Sequence, residues 1–183
     1  MRRPLLFAAV MALLALAAPL HAQEESPEAL AERALAVTAR HDWESMARLI
    51  DPAELQRVQN TFGRLMQAQP DPNVFAMFDV ADVDAFLALP PHDVMMSFLE
   101  IAEVQQQLAS VQIIDGHVIG MVREDDDQAH AVVRQTVRVQ EIEVTSIDVI
   151  SMRRRDGGWW LQMGPELEGM LIGLEAGLNE AGF

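Results

Sequence analysis

The fold class is decided by residues 111–163, which read VQIIDGHVIGMVREDDDQAHAVVRQTVRVQEIEVTSIDVISMRRRDGGWWLQM. From Val111 the composition changes from Ala, Leu and Glu to Val, Ile, Thr and Arg, and this change predicts a switch from helix to sheet. Turn residues divide the stretch at the acidic cluster 124–127 and at Asp156-Gly157-Gly158, which predicts antiparallel hairpins. The predicted strands are 111–123, 129–144, 146–155 and 159–163.

The second predicted strand has an irregular apolar pattern. Val137 and Val139 share one face, but the next apolar side chains, Ile142 and Val144, fall on the other phase. Because side chains alternate strictly along a regular strand, the shift predicts a bulge or a sharp bend near residues 140–141.

Helical patterns precede and follow this sheet. Ser26-Pro27-Glu28 is typical of a helix start, and the helix is expected to continue to about Arg40. Asp42 is expected to cap a short second helix, and Asp51-Pro52-Ala53-Glu54 begins the clearest one. Further helices are predicted near residues 82–89, after Pro90-Pro91 to about 108, and over the tail 165–181, with a loop from residue 74. The predicted fold is α+β, with N-terminal amphipathic helices packed on a bent four-stranded antiparallel sheet and a C-terminal helix.

The N-terminus has the pattern of a secretory signal. Two arginines after Met1 precede an apolar run from Leu5 to Leu20, and this order of charge and apolar residues predicts a signal peptide over residues 1–22, cleaved after Ala22. Cleavage after Ala17 is an alternative, and an uncleaved anchor is another, although the run is at the lower limit of the ~20 residues that span a bilayer. We expect a periplasmic or secreted protein whose residues 23–183 form one domain.

Composition restricts the function classes. The net charge is −15, and it becomes more negative when the signal peptide removes Arg2 and Arg3. An acidic surface repels phosphate backbones and anionic lipids, so neither a nucleic-acid partner nor stable membrane insertion after cleavage is expected. The sequence contains no cysteine, which excludes disulfides, thiolate metal sites and thiol catalysis. No cofactor is predicted.

Two groups of side chains are candidate sites. A first hairpin centred between Asp125 and Asp126 pairs Met121 with His130 and His117 with Arg134, which would place all four on one sheet face. The group would then line a pocket or hold a soft ion such as Cu(I), and the alternative is a half-exposed polar face.

A second soft-metal candidate lies on the helix after Pro91. His92, Met95 and Met96 stand at positions i, i+3 and i+4, a spacing that brings the three side chains together. The alternative is that the two methionines are flexible core residues.

The last strand and the tail supply candidate binding surfaces. Trp159 and Trp160 point to opposite faces of their strand, so one is expected in the core and the other on the surface or under the tail helix, where it would anchor a ligand. In the tail, Gly169, Gly173 and Gly177 form one line, which predicts close packing on the domain or in a homodimer through this helix; a mobile tail is the alternative.

Residues 39–44, ARHDWE, followed by a bent antiparallel sheet that ends in DGGWWL at 156–161, resemble the nuclear transport factor 2-like superfamily, which includes ketosteroid isomerase-like and polyketide cyclase-like proteins. The resemblance implies a cavity between a curved sheet and the helices, and none of its catalytic residues can be assigned here.

We therefore expect a non-catalytic exported module that binds a small apolar ligand or a protein partner. The alternatives are a cyclase- or isomerase-type enzyme that uses a cavity Asp or His as general base and, more weakly, periplasmic copper binding.

Overall fold

The computed structural model describes residues 25–108 and 111–182, and the predicted signal peptide lies outside these ranges. The described residues contain seven α-helices, which are α1 (Pro27–Ala39), α2 (Trp43–Ala47), α3 (Pro52–Ala68), α4 (Pro72–Met77), α5 (Val83–Leu87), α6 (Pro91–Leu108) and α7 (Pro165–Glu180). They also contain four strands, which are β1 (Val111–Arg123), β2 (Gln128–Val139), β3 (Ile142–Arg155) and β4 (Gly158–Leu161). The strands form one antiparallel sheet in the order β1-β2-β3-β4, so the predicted α+β fold with a C-terminal helix is confirmed.

Local capping explains where the helices begin. The Ser26 hydroxyl accepts a hydrogen bond from the backbone N–H of Ala29 at 3.1 Å, and the Asp51 carboxylate accepts one from Ala53 at 2.8 Å. Each cap precedes a proline at the first helical position, where the missing N–H costs nothing. Both predicted starts are confirmed.

The segment predicted as a loop from residue 74 is partly helical. The Asp71 carboxylate accepts the backbone N–H of Asn73 at 2.8 Å, and Pro72 occupies the first position of α4. The prediction was wrong because Pro72, which cannot lie inside a helix, is favourable at the first helical position and here starts a new one.

The predicted strands 129–144 and 146–155 are wrong at their junction. Val139 pairs with Ile142, and Gln140 adopts a left-handed backbone with φ 57°, so residues 140–141 form a tight hairpin turn. The change in apolar phase therefore marks the end of one strand and the start of the next. The β2–β3 pairing has no bulge, and the register shifts lie in β1, between Ile113 and Asp115 and between Val118 and Gly120, where none was predicted.

The helices cover one face of the sheet at one end. The fully buried strand residues are Ala129, Ala131 and Val133 in β2 and Met152 in β3. They belong to a core that includes Leu30 of α1, Val58 of α3, Met95 of α6 and Leu171 of α7. A smaller core packs Met66, Phe78, Phe86 and Val94 between α3, the α4–α5 region and α6. None of the described helices is long and apolar enough to cross a membrane.

The outer edge of β4 is covered by the segment between α2 and α3. The backbone N–H of Asp51 donates to the Leu161 carbonyl at 2.9 Å, and the N–H of Leu161 donates to the Leu49 carbonyl at 2.9 Å. This short parallel pairing fixes the start of α3 against the sheet.

Candidate functional site

An apolar cavity lies between the helices and the covered face of the sheet. Its volume is about 300 Å³. The walls come from α1, α2, α6, the strands β2, β3 and β4, and the start of α7. Their apolar side chains include Leu35, Met46, Met95, Leu99, Ile150 and Leu167. The cavity is therefore built by elements that are far apart in the sequence.

A few neutral polar groups interrupt this apolar wall. They are the side chains of Thr38, Gln135, Ser151 and Gln162. The Thr38 hydroxyl already donates to the Ala34 carbonyl at 2.8 Å, and the Ser151 hydroxyl lies 3.0 Å from Nδ1 of His130. No described residue on the wall has an ionisable side chain, so the cavity favours an uncharged ligand.

A polar groove of about 520 Å³ lies beside the loop that joins β4 to α7. Its charged side chains are Glu54, Arg57, Asp148, Arg153 and Glu168. Burial raises the pKa of the Glu54 carboxyl, and the backbone N–H of Met163, which donates to it at 2.5 Å, opposes the shift. The raised pKa favours the protonated form of Glu54, although this residue lies outside the apolar wall.

Arg57 joins α3 to the tail helix. Its guanidinium donates to both carboxylate oxygens of Glu168, at 2.8 and 2.9 Å, and to both of Glu175, at 2.8 and 3.0 Å. The hydrogen bond from Arg57, aided by one from Thr61, holds the pKa of Glu175 below its ordinary value. The tail helix thus docks on α3, through these ion pairs and through buried Leu171.

The predicted sheet-face group is only partly assembled. His117 pairs with Arg134 as predicted, and His130 lies on the same face of β2 as Arg134. Met121 pairs with Ala131 instead of His130 and packs into the core on the opposite face. The prediction was wrong because the register shift between Val118 and Gly120 reverses the side-chain direction for the rest of β1.

The predicted trio on α6 is also divided. Met95 is buried and lines the apolar cavity, and Met96 packs against the same core. His92 is partly exposed, lies 3.1 Å from Asp93, and lines an outer groove. Among the described residues no group of three or more His, Asp or Glu side chains is arranged to hold a metal ion.

The tryptophan pair lies where β4 meets the first helices. Trp159 is buried and lies under the guanidinium of Arg123, which is 5.6 Å from its ring centroid. Trp160 is partly exposed and donates its indole N–H to the Arg155 carbonyl at 3.3 Å. One tryptophan is in the core and the other at the surface, as predicted, and both line a cleft of about 740 Å³.

The glycine line of α7 faces solvent. A Cβ added at Gly169, Gly173 or Gly177 would meet no atom within 4 Å. These glycines therefore make no close approach within the described chain, and the homodimer through this helix stays a prediction.

Sequence reasoning missed the residues that build the two concave sites. The wall residue Thr38 and the cleft residues Arg33, Arg40 and Arg48 carry no motif. The sequence did contain a weak indication of the apolar cavity, because Ala34 and Thr38 place small side chains one turn apart on the buried side of α1.

Comparisons with known proteins do not assign this chain to a family. No family model matches the sequence, and no curated protein matches it. Among solved structures, the chain is similar to the solution structure of a SEC-C motif containing protein from Rhodopseudomonas palustris, with 17% identity over 76% of this chain and 77% of that chain and a TM-score of 0.43. The expected resemblance to nuclear transport factor 2-like proteins is wrong, since the match is to a SEC-C motif protein. So weak a similarity carries no functional argument.

Proposed function

We propose that this protein is an exported, non-catalytic module that binds a small, uncharged, largely apolar ligand in the cavity between α1, α6 and the sheet. The observation that carries the proposal is the composition of the wall, which combines apolar side chains from six elements with a few neutral polar groups. Ligand pockets in proteins have this composition. A volume of about 300 Å³ is at the lower end of the ~300–1,000 Å³ usual for such pockets, so a ligand of one or two fused rings fits best.

The wall composition also bears on the enzyme alternative. A cyclase or isomerase of the kind considered above needs a general base within hydrogen-bond reach of the substrate. The described wall residues include no Asp, Glu or His, and the carboxyl with a raised pKa, Glu54, lines the separate polar groove. Binding without chemistry is therefore the function that we favour.

The test uses the mature protein and the neutral fluorescent probe N-phenyl-1-naphthylamine. Wild-type protein is expected to give a saturable rise in probe fluorescence with one site per chain. The variant Leu99→Trp places a larger ring on the cavity wall and is expected to weaken binding at least tenfold.

A matched control is Leu174→Trp, because Leu174 is a partly buried helical leucine of α7 that does not line the cavity. It is expected to bind like wild type, and thermal unfolding of both variants checks that they are folded. Absence of saturable binding by wild type, or equal weakening by both variants, would overturn the proposal.

A further inference from the structure

The cleft beside the tryptophan pair carries positive charge in an acidic protein. The cleft is lined by three arginines and by the Gly157-Gly158 turn. Arg33 lies in α1, Arg40 at its C-terminal end, and Arg48 directly after α2. Three of the thirteen basic residues of a chain with net charge −15 thus line one concavity. Such a concentration is the electrostatic requirement of an anion site, because the guanidinium group binds carboxylates through a planar fork.

The three arginines are only weakly engaged within the protein. Arg33 pairs with Glu25 at 2.6 Å and Arg48 with Glu44 at 2.6 Å, and all four side chains are substantially exposed. Exposed ion pairs of this kind contribute little, so an incoming anion can replace them. The Arg40 side chain forms no hydrogen bond or ion pair with any residue in the described part of the chain, and it acts only through space on Asp42.

The floor of the same cleft is apolar. Val37, Leu49 and Trp159 are buried there, and the partly exposed Trp160 contributes an aromatic wall. An apolar floor below a cationic rim suits a ligand with a flat hydrophobic body and an anionic end, since the ring can contact tryptophan while the anion reaches arginine.

The charge at the cleft favours a carboxylate. Glu25 lines the cleft and already places a carboxylate on Arg33. With Glu25 on Arg33 and Glu44 on Arg48, the three arginines retain an excess of one positive charge, which suits a single negative charge from the ligand.

We infer that the cleft lined by Arg33, Arg40, Arg48 and Trp160 is a second binding site, selective for an aromatic monocarboxylate, and that Glu25 competes with the carboxylate of the ligand. This site is separate from the apolar cavity, because the two share no lining residue, although α1 and β4 border both.

The test is calorimetric titration of the mature protein with 1-naphthaleneacetate and with its neutral analogue, 1-naphthaleneacetamide, which has the same ring and nearly the same size. The carboxylate is expected to bind at least tenfold more tightly than the amide, and its affinity is expected to fall as salt is added. Arg40→Gln is expected to weaken carboxylate binding at least tenfold. Glu25→Gln is expected to strengthen it about threefold or more, because the competing carboxylate is removed.

The matched control is Arg138→Gln, which removes the same charge from the exposed sheet, where Arg138 pairs with Glu143 at 2.5 Å. It is expected to leave carboxylate binding unchanged. Equal affinity for acid and amide, or an Arg40→Gln variant that binds like wild type, would overturn the inference. Leu99→Trp separates the two proposals, since it is expected to weaken binding of N-phenyl-1-naphthylamine in the apolar cavity at least tenfold and to leave binding of the carboxylate intact.

Discussion

The two ends of the β2–β3 hairpin have similar apolar sequences and opposite environments. At the end near the α7 loop, Val133 and Met152 are fully buried under the helices. At the other end, Ile142 and Val144 flank the turn and remain exposed, and so do Ile147 and Val149 on the outer face. Apolar alternation therefore predicts a strand at both ends, but it does not predict burial, because burial depends on which part of the sheet the helices reach.

At the exposed end, polar groups on β3 disfavour pairing of its outer edge with another chain. β3 pairs with β4 only from Met152 onward, so no strand in the described part of the chain covers the outer edge of the stretch from Ile142 to Ile150. The Asp148 carboxylate accepts the backbone N–H of Val149 at 2.8 Å, which removes one donor from that edge, and Glu143 and Asp148 add negative charge. Charges on an edge strand disfavour pairing with another chain.

The largest expected change in the free energy of unfolding comes from truncating a buried side chain of β3 rather than an exposed one. Met152→Ala removes a side chain with 0% exposure and should lower the free energy of unfolding by about 2–5 kcal/mol through lost burial and a residual cavity. Ile147→Ala, at 64% exposure, should lower it by less than about 1 kcal/mol. Urea denaturation of the two variants measures both values, and equal losses would mean that the exposed end is covered in solution.

A smaller effect is expected from the ion pairs of the two ends. Arg57→Met removes the guanidinium that joins α3 to Glu168 and Glu175 and should cost about 1 kcal/mol at pH 7, because these groups are partly exposed. Arg138→Met, the matched change at the exposed end, should cost less than about 0.5 kcal/mol.

The pH dependence of unfolding tests whether the stability lost in Arg57→Met comes from its ion pairs. Arg57 lowers the pKa of Glu175 in the folded state, so the stabilisation is fully present above the pKa of about 4.3 in the unfolded chain and is lost as the pH falls through the lowered value. The difference between wild type and Arg57→Met should therefore shrink below about pH 4 when unfolding is followed by circular dichroism. A difference that persists at pH 2 would mean that Arg57 acts through packing alone.

The smallest change in the free energy of unfolding is expected for glycine-to-alanine substitutions at two helix positions with different surroundings. Gly173→Ala on the solvent side of α7 should raise the free energy of unfolding by about 0.5–1 kcal/mol, since alanine is the better helix former and the added Cβ meets nothing. Gly63→Ala in α3 should gain less, because its Cβ would lie 2.6 Å from Cδ2 of Leu87, which must move. Thermal unfolding measures both, and a destabilised Gly173→Ala would indicate that the glycine line packs against a second copy.

Much of the local structure was predictable from the sequence, because it depends on contacts between neighbours in the chain. The caps at Ser26, Asp42 and Asp51 act over two or three residues, so the starts of these three helices could be predicted. The turn at residues 156–158 was equally local, with Asp156 and Gly157 in left-handed conformations. Because strand side chains alternate, one of Trp159 and Trp160 could be expected in the core and the other outside it, but not which one.

Only the tertiary structure decided how these elements combine. The register shift near Ile119 that places Met121 in the core is a property of the paired strands, and no local residue pattern specifies it. The cavity and the arginine cleft depend on packing between helices and strands that are far apart in the sequence. Sequence determines local hydrogen bonding over a few residues, whereas the positions of concave sites depend on the sum of many weak long-range contacts.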